Sequence, residues 1–144
     1  MILLDTNVLS EALKLSPAPR VIDWLNRNFS ECALSSVTAF ELKVGVVLLD
    51  PVRRRDELEN AVARLIRRFA GRVYAFDAAA AEAAAAVLMR ARAAGLGLHQ
   101  IPAKLADLQI AGIAAAYGLD LATRNTGDFN GVGLKLIDPW NNHG

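Results

Sequence analysis

The sequence predicts an α/β fold with a mostly parallel central sheet, and three observations support this. Short apolar runs of strand length alternate along the chain with longer stretches in which apolar residues recur at helical spacing. The first run, Ile2–Leu4, has no polar side, which is typical of a parallel strand covered by helices on both faces. Only 6% of the 144 residues are aromatic, which favours helices packed on a sheet. This length suits a single domain, expected to span residues 1–144.

The first half of the chain is predicted to contain two strands and four helices. Pro17 and Pro19 separate the first two helices, because proline lacks a backbone donor and breaks a helix. Trp24 and Phe40 are predicted core residues, and Pro51 is predicted to end the third helix. The two strands are predicted at Ile2–Leu4 and Cys32–Ser35, and the helices at Thr6–Ala12, Val21–Arg27, Ser36–Asp50 and Arg53–Phe69.

The second half is predicted to contain two helices and three strands. Asp77 is placed to cap an alanine-rich helix that Gly95 ends. Pro102 suits the first turn of the next helix, and Gly118 follows its last residue. Asn125–Asp128 is predicted to be a turn. The strands are predicted at Val73–Phe76, Leu121–Thr123 and Leu134–Ile137, and the helices at Ala78–Ala94 and from Pro102 to about Tyr117.

Charge and cysteine content narrow the class of protein. The net charge is only +1, so any attraction to nucleic acid must be local. Cys32 is the only cysteine, and we expect it to be a small buried residue rather than a nucleophile. No apolar run approaches the ~18 residues that span a membrane, and Met1 leads directly into a strand. We therefore expect a cytoplasmic protein that does not contact a membrane.

Four acidic residues are predicted to meet at one edge of the sheet. Asp5 follows the first strand and Asp128 follows the fourth, and the carboxyl ends of parallel strands share an edge where ligands bind. Glu41 and Asp107 each lie about two turns into a helix and interrupt an apolar neighbourhood, where an unpaired carboxylate is costly. A divalent cation would remove that cost and the repulsion between the acids.

The predicted metal is a hard cation, Mg²⁺ or Mn²⁺, because the set consists of carboxylates without His or Cys ligands. The chain has no HExxH, no glycine-rich phosphate loop with lysine and no GxSxG, which removes several other site types. Each acid alone also has a structural interpretation. Asp5 or Asp128 could cap the element that follows it, and Asp107 could pair with Lys104 three residues earlier.

The segments that carry these acids resemble those of PIN-domain ribonucleases. The matching segments are Leu4-Asp5-Thr6-Asn7, Phe40-Glu41-Leu42-Lys43-Val44-Gly45, Asp107-Leu108-Gln109-Ile110-Ala111 and Ala122-Thr123-Arg124-Asn125-Thr126-Gly127-Asp128-Phe129. Within that family the chain is most similar to the VapC-type toxins of bacterial toxin–antitoxin pairs, especially the FitB-like branch. The resemblance covers nearly the whole chain. It implies a three-layer α/β/α sandwich and a Mg²⁺- or Mn²⁺-dependent endoribonuclease site.

The resemblance also implies roles and partners. Its acids map onto Asp5, Glu41, Asp107 and Asp128 as both catalytic and metal-binding residues. Further residues are expected to orient the carboxylates or a water, or to contact RNA. The orienting residues are Asn7, Thr123 and Asn125, and the RNA contact is Arg124. The expected partners are an RNA substrate and a cognate antitoxin that obstructs the site, and the toxin is expected to form a homodimer.

Two other functions stay open on the sequence. Asp5 could instead accept phosphate covalently in a phosphohydrolase, although Asn7 stands where such enzymes usually carry a second Asp. The chain could also be a non-catalytic binding module that shares the fold. The basic residues do not distinguish between these functions, because arginines on a helix face either contact phosphates or are simply solvated. These arginines are Arg53, Arg54, Arg55, Arg64, Arg67, Arg68 and Arg72.

Overall fold

A computed structural model of the chain describes residues 1–49, 52–97, 100 and 103–141. The strands are β1 (Ile2–Leu4), β2 (Cys32–Ser35), β3 (Val73–Tyr74), β4 (Asp120–Ala122) and β5 (Leu136–Ile137). The helices are α1 (Thr6–Ala12), α2 (Pro19–Asn28), α3 (Ser36–Val47), α4 (Val52–Arg67), α5 (Ala78–Ala93), α6 (Leu105–Tyr117) and α7 (Thr126–Phe129). A single 3₁₀ turn, Phe29–Glu31, joins α2 to β2.

The five strands form one sheet in the order β3-β2-β1-β4-β5, and all four pairings are parallel. β1 lies at the centre, with Ile2 in register with Cys32 of β2 on one side and Asp120 of β4 on the other. From β1 to β3 the chain builds one half of the sheet. It then returns past β1 and forms β4 on the other side of that strand. The carboxyl ends of β1 and β4 therefore lie side by side where the strand order reverses, the usual place for a ligand in such a sheet.

Helices cover both faces of the sheet. Successive residues of a strand point to opposite faces, and the buried residues follow that rule. On one face Leu3 and Leu121 pack with buried residues of α5 and α6. On the other face Leu4 and Leu34 pack with buried residues of α1, α2, α3 and α4. The predicted three-layer α/β/α sandwich around a parallel sheet is thus confirmed.

α5 and α6 approach each other closely because small residues line their contact. Ala80 and Ala84 of α5 are buried against α6. A Cβ added to Gly112 of α6 would come within 2.6 Å of both the Ala80 carbonyl oxygen and the Ala84 Cβ, far inside van der Waals contact. This close packing fixes α6 on the sheet and so determines where its first turn is held.

Several predicted helix ends are confirmed. The Asp77 side chain accepts a 2.9 Å hydrogen bond from Ala80 N and caps α5. Gly118 ends α6 with a φ of 64°, in the left-handed region that glycine adopts without strain. α3 begins at Ser36 as predicted, and the structure adds that Ser35 caps it by accepting a hydrogen bond from Thr38 N.

One core prediction is wrong. Trp24 is buried as predicted, but the Phe40 side chain is 68% exposed. α3 buries Leu42 and Val46, which lie one turn apart. Phe40 is two residues before Leu42 and so points to nearly the opposite side of the helix. An apolar residue in a helix that is apolar on every side does not reveal which side faces the core.

Most of the predicted boundaries agree with the structure to within two residues, and larger differences occur at three places. α3 ends at Val47 rather than Asp50, and α6 begins at Leu105 rather than near Pro102. Most of the segment predicted as a turn at Asn125–Asp128 is the one-turn helix α7. Pro51 and Pro102 themselves lie outside the described residues. None of the described helices combines the length and apolar character needed to cross a bilayer.

Candidate active site

The centre of the site is the junction between the carboxyl ends of β1 and β4. Asp5 follows β1, and its backbone N–H donates to the Ala122 carbonyl at the end of β4 at 2.9 Å. Thr123 follows Ala122, so both side chains arrive at the same edge of the sheet. Asp5 is 2% exposed and Thr123 is fully buried. The fold thus places one carboxylate and one hydroxyl in contact, as the parallel strand order predicts.

Both oxygens of Asp5 are hydrogen-bonded. Oδ1 accepts from Thr6 N at 2.8 Å, which also makes Asp5 the N-cap of α1. Oδ2 accepts from the Thr123 hydroxyl at 2.7 Å. The Thr123 oxygen in turn accepts from Asn125 N at 3.0 Å. Asp5 is therefore the N-cap of α1, and the cap uses only one of its oxygens and fixes the direction of the carboxylate.

The pKa of Asp5 is raised to about 6, and burial is the largest cause. The negative charges of Asp107 and Glu41 also raise this pKa, while the hydrogen bonds from Thr123 and Thr6 lower it. Acids from two other elements, α6 and α3, thus lie near enough to repel Asp5. A buried carboxylate under such repulsion favours a bound cation.

Glu41 is half-buried on α3 and is fixed by a hydroxyl from α1. The Thr6 hydroxyl donates to Glu41 Oε1 at 2.6 Å and lies 2.9 Å from the Thr38 hydroxyl. Thr6 therefore holds two acids of the set, Asp5 through its backbone and Glu41 through its side chain. Sequence reasoning did not single out Thr6 for this role, and its place directly after Asp5 gives no sign of a contact 35 residues away.

Asp107 lies in the first turn of α6, rather than two turns into the helix as expected. A helix N-terminus stabilises a carboxylate through its free N–H groups and dipole. Burial nevertheless raises the pKa of Asp107, and the charges of Glu41 and Asp128 raise it further, while Lys104 opposes this. Asp107 is thus influenced by the charges of both Glu41 and Asp128.

Asp128 joins the set from α7. Its Oδ2 lies 3.1 Å from Lys104 Nζ, and the same ammonium lies 3.9 Å from Asp107 Oδ2. Its Oδ1 lies so close to Gly97 that a Cβ there would approach to 3.0 Å. Asp128 lies within α7, whose N-cap is Asn125, so Asp128 does not cap it. The expected ion pair between Lys104 and Asp107 is present, but its distance is longer than that between Lys104 and Asp128. Sequence reasoning gave Lys104 no place in the site.

The donor set fits a hard divalent cation in its chemistry. It consists of carboxylates with buried or half-buried oxygens and an ammonium that already lies between two of them. The carboxylates do not form a closed cage, because within the described part of the chain no three His, Cys, Asp or Glu side chains are placed to hold one ion together. Four mutually repelling acids with a lysine between two of them would have to draw closer to share an ion.

The remaining predicted residues lie at the rim. Asn7 Oδ1 accepts from Arg124 N at 3.4 Å, so Asn7 contacts the loop after β4 rather than a carboxylate. Asn125 acts through its backbone N–H on Thr123. The Arg124 guanidinium lies 5.1 Å from the centre of the Trp140 ring, a cation–π distance.

Glu11 is an acid that the sequence interpretation missed. It lies on α1 and is 5% exposed, with Lys14 Nζ 2.9 Å from its Oε2. The hydrogen bond from Lys14 lowers the pKa of Glu11, and Trp140 and Arg124 lower it further. Glu11 thus belongs to the surroundings of Arg124 rather than to the four acids.

Several of the arginines have structural partners. Arg72 donates to the carbonyls of Phe29 and Cys32 at 2.7 and 2.6 Å, and Arg55 donates to the Leu49 carbonyl. Arg68 lies over the Phe29 ring at 4.1 Å. These contacts favour a structural role for Arg55 and Arg72 over contact with RNA. The Arg53 side chain lies outside the described residues.

Comparisons with known proteins agree with this fold. A family model described as the PIN domain matches residues 2–133. A plasmid stability protein, StbB, of Pseudomonas syringae pv. tomato is 43% identical over 97% of this chain and 99% of its own length. The VapC ribonuclease Y4jK of Sinorhizobium fredii is 35% identical over 97% of this chain and 98% of its own.

The toxin FitB of Neisseria gonorrhoeae is 37% identical over 97% of this chain and 99% of its own. Among solved structures, FitAcB from the same organism superposes with a TM-score of 0.88 at 36% identity, covering 99% of this chain and all of the other. Matches of this extent involve every element that brings an acid to the site.

Proposed function

This chain belongs to the PIN-domain family, and from that premise we propose that it is a metal-dependent endoribonuclease that acts as the toxin of a toxin–antitoxin pair. The observation that carries the proposal is the set of contacts that gathers the four acids: Thr6 contacts both Asp5 and Glu41, and Lys104 contacts both Asp107 and Asp128. The names of its relatives, a VapC ribonuclease and the toxin FitB, support RNA as the substrate and a toxin as the biological class.

Asp5, Glu41, Asp107 and Asp128 are the residues that would hold the metal, which we propose to be Mg²⁺ or Mn²⁺. When bound, such an ion neutralises charge on the phosphodiester and lowers the pKa of a water, so that the water can attack near neutral pH. Oxygen ligands alone favour these ions over zinc.

The chain's own residues supply orientation and proton transfer. Thr6 N and the Thr123 hydroxyl fix the Asp5 carboxylate from two sides. The Thr6 hydroxyl fixes Glu41 through Oε1, and no described residue donates a hydrogen bond to Oε2. Glu41 is therefore the acid best suited to accept a proton from the attacking water. Asp107 and Asp128 add negative charge next to Lys104 and would repel an anion that is not accompanied by a cation.

Arg124 is proposed to contact a phosphate of the RNA next to the site. It follows Thr123 directly, and it is exposed, with its guanidinium within cation–π distance of the Trp140 ring. Such a contact adds affinity without choosing a sequence. The proposed protein partner is a cognate antitoxin, the toxin is proposed to be a homodimer, and its place of action is proposed to be the cytoplasm.

The geometry does not favour a phosphohydrolase that uses Asp5 as nucleophile. Asp5 is 2% exposed, and both its oxygens already accept hydrogen bonds. A carboxylate that attacks phosphorus needs an accessible oxygen in line with the leaving group. The hydrogen bonds from Thr6 N and the Thr123 hydroxyl hold the Asp5 carboxylate in one orientation, which suits a ligand of a cation.

The test is cleavage of a fluorescent single-stranded RNA by the purified chain. We expect cleavage in Mg²⁺ or Mn²⁺ that stops with EDTA and falls at least about a hundredfold in Asp107→Asn. Asp120→Asn is the matched control, because Asp120 starts β4 at the opposite end of the strand and pairs with Lys135. Cleavage that persists in EDTA, or is lost equally in both variants, would contradict the proposal.

A further inference from the structure

The Lys104 side chain places a positive charge among the acids. Its ammonium lies 3.1 Å from Asp128 Oδ2 and 3.9 Å from Asp107 Oδ2. The charge of Asp5 acts on it as well. One lysine from the N-terminal end of α6 therefore interacts with three acids that come from three different elements.

The contacts of Lys104 differ from an ordinary helix ion pair. A lysine three residues before an aspartate normally pairs with that aspartate. Here the shorter contact is with Asp128, 24 residues away, and it meets the criteria of a hydrogen bond. The side chain is 31% exposed, so it reaches the acids from the solvent side and can leave without disturbing the core.

We propose that Lys104 is a built-in counter-ion of the acid set, and that a divalent cation must displace its ammonium in order to bind. The inference rests on the proposed function, because it assumes that the acids take a divalent cation. The ammonium lies against the Oδ2 atoms of Asp107 and Asp128, so a divalent cation held by these carboxylates would compete with it for the same oxygens. The ammonium and a doubly charged ion would also repel each other strongly at such distances.

The Lys104 ammonium can leave the acids without steric hindrance. Lysine carries its charge on a flexible four-carbon stem, and the partial exposure of Lys104 leaves it a path into water. The ammonium would then face the solvent side of the site, where the RNA phosphates approach. Lys104 would thus lower the affinity for the metal while keeping the acids neutralised when the metal is absent.

The test compares Mn²⁺ affinity by isothermal titration calorimetry in the wild type, Lys104→Gln, Lys104→Arg and Lys14→Gln. We expect Lys104→Gln to bind Mn²⁺ at least about tenfold more tightly, and Lys104→Arg to stay near the wild type because the charge is kept. Lys14→Gln is the matched control. It removes the same charge from a lysine paired with Glu11, outside the four acids, and we expect its affinity to change less than twofold.

The outcomes separate this inference from the proposed function. Unchanged or weaker Mn²⁺ binding in Lys104→Gln, with normal binding by the wild type, would overturn the counter-ion role and leave the nuclease proposal standing. Equal tightening in Lys14→Gln would also overturn it, because the effect would then be one of net charge. If no variant and no wild-type sample binds Mn²⁺, the metal site of the proposed function fails and this inference fails with it. Thermal unfolding in EDTA identifies any variant that is not folded.

Discussion

The Thr123 hydroxyl donates a 2.7 Å hydrogen bond to Asp5 Oδ2 and so joins residues that are 118 positions apart. The Thr123 hydroxyl oxygen also accepts a hydrogen bond from Asn125 N. This one buried hydroxyl connects the ends of the two central strands and starts the loop that leads to Arg124 and Asp128. The site therefore depends on a threonine that is neither acidic nor exposed.

Thr123→Val keeps the shape of the side chain but removes the donor to Asp5 and the acceptor for Asn125 N. We expect it to lower the free energy of unfolding by about 1–3 kcal/mol. We also expect kcat to fall at least about tenfold, because the Asp5 carboxylate loses its orientation. Thr123→Ser keeps the hydroxyl and should recover most of kcat. Urea unfolding and RNA cleavage measure the two effects, and a Val variant with wild-type kcat would show that the hydrogen bond has no part in the chemistry.

Two glycines in helices should respond to alanine in opposite directions. Gly112→Ala would force a Cβ to within 2.6 Å of Ala80 and Ala84 atoms, so we expect it to destabilise the protein by on the order of 2 kcal/mol. Gly45 lies in α3 with nothing within 4 Å of an added Cβ, so Gly45→Ala should stabilise it by about 0.5–1 kcal/mol. Chemical denaturation of the pair measures both, and equal shifts would refute the close packing of α5 on α6.

Arg124→Gln should weaken RNA binding if Arg124 contacts a phosphate. In an Asp107→Asn background, which prevents cleavage, we expect a several-fold higher Kd. We also expect the slope of log K against log salt to become shallower by about 0.7, the value for one phosphate contact on single-stranded nucleic acid. Arg27→Gln removes an equal charge from α2 and is the control. Fluorescence anisotropy at several salt concentrations measures the slope, and an unchanged slope in Arg124→Gln would exclude the contact.

Cys32 gives a prediction for alkaline pH. It is fully buried, and burial raises the pKa of its thiol from 9.0 to about 11. Below pH 9 the thiol is neutral in both the folded and the unfolded protein. Between pH 9 and 11 it ionises only when the chain unfolds, so the folded state loses up to about 3 kcal/mol as pH rises through this window. Denaturation at pH 8 and pH 10.5 should show a smaller loss in Cys32→Ala, and an identical loss would be evidence against this burial effect.

The sequence predicts the parts of this fold that local signals determine. The bounds of β1, α1 and β2 agree with the pattern because Asp5 and Ser35 mark the points where strands end and helices begin. The four acids were predicted from two signals. Asp5 and Asp128 follow strands whose carboxyl ends share an edge of the sheet, and Glu41 and Asp107 interrupt apolar neighbourhoods.

What the sequence did not predict depends on contacts between distant residues. Thr6 binds Glu41 35 positions away, and Lys104 prefers Asp128 to its near neighbour Asp107. Nothing in the local pattern distinguishes these side chains from solvated ones. Phe40 was misplaced for a related reason, because a helix that is apolar on every side hides which residues face the core.

The most direct test of the central claim is a Mn²⁺ titration followed by electron paramagnetic resonance, which reports the free ion. The wild type is expected to remove Mn²⁺ from solution at a saturable site, and Asp5→Asn to do so at least about tenfold more weakly. Asp77→Asn is the matched control, because Asp77 caps α5 and asparagine caps a helix about equally well. Wild-type affinity in Asp5→Asn, or equal losses in both variants, would contradict the claim that these carboxylates share a divalent ion.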